Sequence, residues 1–440
     1  MAHNSFYHRG AIRESTCFYD RQHETEQIAT LLRTSQSVSI VGPRRIGKTS
    51  LLYHLLDEKV RADYGLLPSA HVIASRDAEG MEQASLSEVY ALFINGILEA
   101  IGEDGKAEVR AASYRDLDSQ IKSLHQSGTQ VAFFIDEFDL LAANQNLDPA
   151  FFSGLRGLAT RYAVSYVLTS QRPLISLVYA DDSVLSSPFF NIFATVPLGL
   201  FDASTARQMV MHFLSKGAMT LPQLALDAIA ELAGPHPFFV QIAAYHACEL
   251  MRSVDKWDER STAQLSDRFY DEAHQHYLYY WYGLDEMERN TLANLVAAQH
   301  DPGKREELYR LRLQCLIIPI DSGYRYVSSA LLRFVRRQQV EGLVQVEPFV
   351  IDLLRRTVTV AGESLELSKT QFELLVQLAQ RGGQVVTNRE LEAHVWQDEY
   401  VGDPERLKAA IKHLRHGLGS WAACVANVRG VGYALRARRR

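Results

Sequence analysis

The sequence predicts an α/β core of the P-loop class, extended by helices and followed by a separate, smaller α+β domain. Three observations carry that expectation. Gly42-Pro-Arg-Arg-Ile-Gly-Lys-Thr49 follows a short β-branched run and opens an amphipathic stretch. Farther on, an apolar run from Val131 to Ile135 ends in Asp136-Glu137. After residue 346 the texture changes, and the charge changes with it. Nine of the chain's 46 Lys and Arg, and none of its 52 Asp and Glu, lie within 406–440.

A chain of 440 residues exceeds one ordinary core, so roughly two to four domains are expected. Hydrophobic and charged contents of 47% and 22% belong to a soluble globular protein. No apolar run approaches the ~18 residues of a membrane span, and the first residues lack the apolar core of a signal peptide. Cys17, Cys248, Cys315 and Cys424 form no CxxC pair. That spacing argues against a metal cluster or a disulfide framework and for a reduced, cytoplasmic protein. The net charge of -6 conceals a basic end on an acidic body. Such an end is either a solvated tail or a domain that meets an anion, nucleic acid first among them.

Residues 37–41 read as a strand and 48–60 as an amphipathic helix, with the glycine loop between them. Glycines let backbone N–H groups approach phosphates, and a helix N-terminus adds positive potential. The expected nucleotide contacts are Gly42, Pro43, Arg44, Arg45, Ile46, Gly47, Lys48, Thr49 and Ser50. Lys48 would meet the β- and γ-phosphates, and Thr49 would ligate Mg²⁺. Arg44 and Arg45 occupy variable loop positions, where they are either solvated or reach a phosphate or a neighbouring subunit. The plainer alternative for the whole stretch is a glycine turn before an ordinary helix.

Within 130–141, Asp136 ends a buried strand where Mg²⁺ is held, and Glu137 can orient or deprotonate a water. Asp139 reads as a surface or capping residue. A third strand, 164–172, ends in Thr169, Ser170, Gln171 and Arg172. Such an ending resembles that of P-loop ATPases of the additional-strand type, which implies Arg172 or Ser170 as a γ-phosphate sensor. The expected catalytic set is Glu137, Asp136, Lys48 and Arg172, and the expected cofactors are ATP or ADP with Mg²⁺.

"FYDRQHETEQIATLL" (18–32), "GPRRIGKTSLL", "FIDEFD" and "LTSQR" together resemble the STAND branch of AAA-related ATPases, nearest the archaeal-type group. The resemblance implies that the segment before the first strand, with Arg21, helps form an adenine pocket. Asp20 stands where that family usually has glycine. "LAGPHPFFVQIAAYH" (232–246) resembles the family stretch in which a lid-helix proline packs on the base. Pro237 takes that place if the run is read as H-P-F-F, and Pro235 if it is read by distance from Gly234; Pro237 is favoured.

Residues 284–298 have helical spacing, and 305–338 read as helix, strand, Ser-Gly turn, strand and helix. This order looks like a first winged helix, which the resemblance implies closes over the nucleotide. The expected division is a P-loop domain at 1–197, a helical lid at 198–270 and this winged helix at 271–340.

Residues 346–440 begin with two short β runs around an "AGES" turn. Helices follow at 370–380, 388–396 and 403–419, and 424–435 closes as a hairpin with Gly430 and Gly432. On the third helix Leu407, Ile411, Leu414 and Leu418 share one stripe, and Lys408, Lys412 and Arg415 another. A buried side with a basic side suits a major-groove helix. "LSKTQFELL", "GGQVVTNREL" and "VRGVGYAL" resemble the OmpR/PhoB-type winged-helix DNA-binding domain. Carried over by position, Lys408, Lys412, His413 and Arg415 are groove or phosphate candidates, with Arg429 and Tyr433 in the wing. Arg429 can equally brace the hairpin. The alternative is a winged helix used for protein contacts.

The fold expected is therefore an α/β P-loop NTPase core with helical lid and winged helix, followed by a separate α+β winged-helix DNA-binding domain. The resemblances imply an ATP-dependent STAND-type switch that binds double-stranded DNA as a transcriptional or signalling regulator. Nucleotide state would set conformation or homo-oligomerisation, with a protein or ligand as a further trigger and no membrane partner. The alternatives are a DNA-remodelling or loader ATPase of initiator or transposition type, and an antiviral STAND sensor.

Overall fold

The computed structural model describes residues 3–6, 9–67, 69–103, 108–174, 188–341, 343–346, 348–353, 356–361, 363–381, 383–396, 404–428 and 431–436. The chain divides into two compact units. One comprises 1–273, 312–318 and 327–330; the other comprises 274–311, 319–326 and 331–440.

In the first unit α1 (Gln22–Arg33) leads into β1 (Ser37–Val41), the glycine loop and α2 (Lys48–Leu56). The helix expected over 48–60 breaks at Asp57, whose carboxylate accepts from Lys59 N and Val60 N and starts α3 (Glu58–Asp63). There follow β2 (His71–Asp77), α4 (Leu86–Ala100), α5 (Tyr114–Gln126), β3 (Gln130–Asp136), α6 (Phe138–Ala142), α7 (Pro149–Tyr162), β4 (Ser165–Ser170) and β5 (Phe193–Pro197). The sheet runs in the order β2-β3-β4-β1-β5, and every pairing is parallel. A strand thus lies between the phosphate-loop strand β1 and the acidic strand β3.

Alternating side chains of β3 and β4 serve two cores. Phe133, Ile135, Tyr166 and Leu168 face one, built with α4, α5 and α7. Phe134 and Val167 join Ile40, Leu51 and Val196 in the other. Burial on both faces explains why these strands read as unbroken apolar runs.

Four helices continue the chain: α8 (Ala203–Lys216), α9 (Gln223–Ala233), α10 (Pro237–Met251) and α11 (Glu259–Gly283). Pro237 occupies the first turn of α10, where its missing N–H costs nothing. Gly234 is left-handed (φ 58°), and a Cβ there would lie 2.0 Å from the Val327 carbonyl oxygen.

Residues 286–341 form α12 (Glu286–Ala293), α13 (Leu295–Ala298), α14 (Arg305–Leu313), the hairpin of β6 (Ile317–Ile320) and β7 (Gly323–Tyr326), and α15 (Ser329–Glu341). This is the predicted order, except that the helix expected over 284–298 is interrupted at Asn294, whose side chain donates to Asn290 O.

The C-terminal part opens with an antiparallel sheet of order β11-β10-β9-β8: β8 (Leu343–Val346), β9 (Phe349–Asp352), β10 (Thr357–Val360) and β11 (Glu363–Leu365). The two runs around the "AGES" turn are β10 and β11; β8 and β9 are additional. Next come α16 (Lys369–Gln380), β12 (Val386–Thr387), α17 (Asn388–Trp396), α18 (Pro404–Leu418), β13 (Val425–Val428) and β14 (Gly432–Leu435). The last three strands form an antiparallel sheet, β12-β14-β13. The sheets and helices share one core that includes Phe349, Ile351, Phe372, Leu375, Leu414 and Tyr433. Among the described residues, no helix is long and apolar enough to cross a membrane.

Candidate functional site

The phosphate loop is shaped by its glycines and by one arginine. A Cβ at Gly42 would stand 2.4 Å from Leu198 O, so only glycine allows the close approach of the loop to the end of β5. Arg45 (φ 64°) and Gly47 (φ 107°) are left-handed, and Gly47 caps α2. Ile46 is buried beneath the loop. The Lys48 ammonium donates to Gly42 O (2.7 Å) and Pro43 O (3.0 Å). Burial holds its pKa below the ordinary lysine value, against the pull of Asp139, Asp136 and Glu137.

Not every loop side chain faces the same way. Ser50 Oγ accepts from Ile12 N at 3.0 Å, so its hydroxyl serves the N-terminal segment. Arg44 is exposed. Arg45 donates to Arg9 O (2.8 Å), and its guanidinium lies 5.2 Å from the ring centre of Phe238 on α10.

The acidic side is organised by a residue whose role the sequence did not reveal. Thr169, fully buried at the end of β4, donates to Asp136 Oδ1 (2.5 Å) and accepts from Glu137 N (2.9 Å). The β3–β4 register, with Ile135 opposite Leu168, brings these groups together. Glu137 itself is left-handed (φ 49°). Burial, then the charges of Asp136, Asp77 and Glu79, raises its carboxyl above the ordinary glutamate value. Asp139 is half-buried, accepts from Gln171 N (2.9 Å) and has its pKa raised, chiefly by burial. It therefore belongs to the site's interior and braces the end of β4, where the sequence suggested a surface or capping role. Ser170 is buried and donates to Arg172 O (2.7 Å), whereas Arg172 is exposed.

Asp20 is left-handed (φ 62°), which explains why glycine suits that position. Arg21 is buried; it donates to Gly199 O (2.5 Å) and Glu24 (3.0 Å), with its guanidinium 4.5 Å from the Phe201 ring centre. Phe201 N donates in turn to Pro235 O (3.1 Å). The Arg21 segment and the Gly-Pro-His-Pro segment thus meet at Phe201, with Pro237 half-buried two residues on.

On α18, Leu407, Ile411, Leu414 and Leu418 are buried, while Lys408, Lys412 and His413 are exposed. Arg415 departs from the expected basic face: its Nε and Nη2 both donate to Val425 O, at 3.2 and 2.7 Å. It lies beside the buried stripe and ties α18 to β13. Tyr433 is buried in the core between β12 and β13, so its ring is structural. Arg429 lies outside the described residues.

Residues 27–300 match the family model described as Novel STAND NTPase 2. The chain belongs to that STAND family. Residues 362–435 match a second model, described as transcriptional regulatory protein, C terminal. A STAND NTPase region is thus joined to a C-terminal domain of the kind found in transcriptional regulators. That domain is similar to the one in the transcriptional regulatory protein AfsQ1 of Streptomyces coelicolor, 38% identical over 89 residues, or 20% of this chain and 40% of that protein. It is also similar to the sensory transduction protein RegX3 of Mycolicibacterium smegmatis, 35% identical over 98 residues, 22% of this chain and 43% of the other. The chain therefore spans less than half the length of these relatives. The Walker-type ATPase paby2304 of Pyrococcus abyssi shares the fold, with a TM-score of 0.53 at 14% identity over 75% of this chain and 99% of that one.

Within the STAND region, the sequence anticipated the loop and the Asp136-Glu137 pair, but neither the Thr169 bridge nor the ties of Arg45. A polar residue at the end of a strand was the available signal for Thr169. The ties of Arg45 reach 36 residues back to Arg9, as well as across to α10, beyond the range of any local pattern.

Proposed function

We propose that this chain is an ATP-dependent switch whose C-terminal winged helix binds double-stranded DNA, acting as a cytoplasmic transcriptional regulator. The observation that carries the reading is the joining, in one chain, of a lysine-closed phosphate loop beside a bridged Asp-Glu pair to an α18 whose exposed residues include Lys408, Lys412 and His413.

The loop fits a nucleoside triphosphate. Its half-buried Lys48 has lost much of its hydration, and an anion would restore the stability of its charged form. Backbone N–H groups from Arg44 to Ser50 would cradle phosphate, and Lys48 would meet its outer oxygens. Thr49 and Asp136 would hold Mg²⁺, which would supply neutralising charge. Glu137 orients or deprotonates a water, and Arg172 senses the terminal phosphate. Arg21 and Pro237 stand at the adenine end. On the DNA side Lys408, Lys412 and His413 meet the groove or backbone, and Arg429 belongs to the wing.

In this reading the parts are a nucleotide domain (1–197), a lid (198–270), a first winged helix (271–340) and the DNA reader (346–440). Nucleotide state sets whether the reader is available, through conformation or self-association, and a protein or ligand supplies a further trigger. Lys48→Ala tests the link. It is expected to abolish nucleotide binding and to change DNA affinity or assembly state. Lost nucleotide binding with DNA binding and assembly both unaltered would defeat the proposal.

A further inference from the structure

The N-terminal segment crosses from the lid helices to the nucleotide core. On the lid, His3 N donates to Gly217 O (3.0 Å) at the end of α8, and a Cβ at Gly217 would lie 2.4 Å from His3 O. Asn4 donates to Tyr245 O (3.1 Å) and Glu249 (2.8 Å) on α10, and Phe6 packs edge-on against Phe213. On the core, Ile12 N reaches Ser50, Arg13 lies over Tyr53, Ser15 donates to Asp57 and Phe18 stacks on His54.

Arg9 sits where the segment passes the phosphate loop. Its guanidinium pairs with both oxygens of Glu272 on α11 and lies 4.7 Å from the Tyr245 ring centre. Glu272 is also 2.8 Å from His246 Nε2. The Arg9 carbonyl accepts from Arg45, whose other tie is the Phe238 ring at the start of α10. One left-handed loop residue therefore touches the lid twice, directly through Phe238 and indirectly through Arg9 and Glu272.

We propose that residues 3–6 and 9–18 act as a latch through which the lid senses the phosphate loop, with Arg45 as the transmitting residue. This rests on the nucleotide-switch reading. Phosphate bound by the loop amides fixes the Arg45 backbone, and the Arg45 side chain carries that constraint to α10 and α11. A loop that moves pulls on the Phe238 ring and the Arg9 carbonyl together. This gives a role to an arginine at a position where the P-loop pattern demands no particular residue.

The test uses the full chain and two residues outside the loop. Glu272→Ala removes the anchor of Arg9, and Phe238→Leu keeps apolar bulk but removes the aromatic face. Hydrogen exchange of α10 amides is followed with and without Mg²⁺ and ATPγS, alongside a direct titration of nucleotide. In the wild type, nucleotide slows exchange in α10. In the double variant, nucleotide affinity stays within about threefold of wild type, and the slowing of exchange falls about fivefold or more, since an exposed cation–π tie is worth about two- to fivefold by itself. Glu272→Gln keeps the shape of the side chain and gives a partial loss, so the idea remains testable should the double variant not fold. A double variant that binds nucleotide and slows α10 exchange as the wild type does overturns the latch alone. A wild type that binds nucleotide with no change in α10 overturns the latch together with the switch.

Discussion

Thr169 holds the acidic edge of the phosphate site together by donating to Asp136 and accepting from the Glu137 amide. That geometry leaves the Glu137 carboxyl among other carboxylates, where burial and then Asp136, Asp77 and Glu79 raise its pKa. The sign of the stability effect follows. The folded protein binds this proton more tightly than the unfolded chain, so ionising Glu137 weakens the fold as pH rises through the raised value. Glu137→Gln is therefore expected to raise the urea midpoint at pH 7 more than at pH 4, while lowering phosphate release by about tenfold or more. An equal midpoint shift at both pH values would contradict the assignment of strain to its charge. Lys48, Asp136 and Glu137 were legible because the P-loop pattern and a strand ending in acid are local signals. Asp139 and Thr169 were not, because their partners lie just past the end of β4 and at the end of β3 respectively and depend on the register of a parallel sheet.

At the scale of elements, α18 shows where a helical projection stops being sufficient. Its buried stripe matches the expected one residue by residue. The basic stripe is not uniform, because Arg415 flanks the buried side and reaches the Val425 carbonyl. Periodicity shows which way a side chain leaves a helix, not which neighbouring strand lies within its reach. Arg415→Ala is therefore expected to destabilise the C-terminal domain by about 1–3 kcal/mol, the range for a charged donor losing a carbonyl. Lys412→Ala should leave the denaturation midpoint nearly unchanged. It should weaken duplex binding and lower the salt slope of log K by about one. Paired denaturation and DNA titrations separate the two, and equal loss of stability in both would contradict the division. The same limit explains two helix breaks. Asp57 and Asn294 each lie within an apolar-periodic run, and each is interrupted by its own side-chain hydrogen bonding to nearby backbone.

At the scale of the whole molecule, a STAND NTPase region and a regulator-type C-terminal domain share one chain. The change of texture near residue 346 and the basic end made that division readable, because composition responds to what each domain must bury and meet. The strands β8 and β9 were missed although they are no shorter than β10 and β11, because the Glu347-Pro348 link between them carries no glycine turn of the kind that marked the later pair. The central claim is that nucleotide in the loop alters the C-terminal reader. The most direct measurement is the affinity of the full chain for a duplex enriched from a randomised pool, at fixed salt, with Mg²⁺ and ATPγS, with Mg²⁺ and ADP, and without nucleotide. The account predicts that at least two of these states differ by about tenfold or more in dissociation constant, roughly 1.4 kcal/mol of coupling. One common affinity in all three states, with nucleotide binding verified in the same samples, would contradict it.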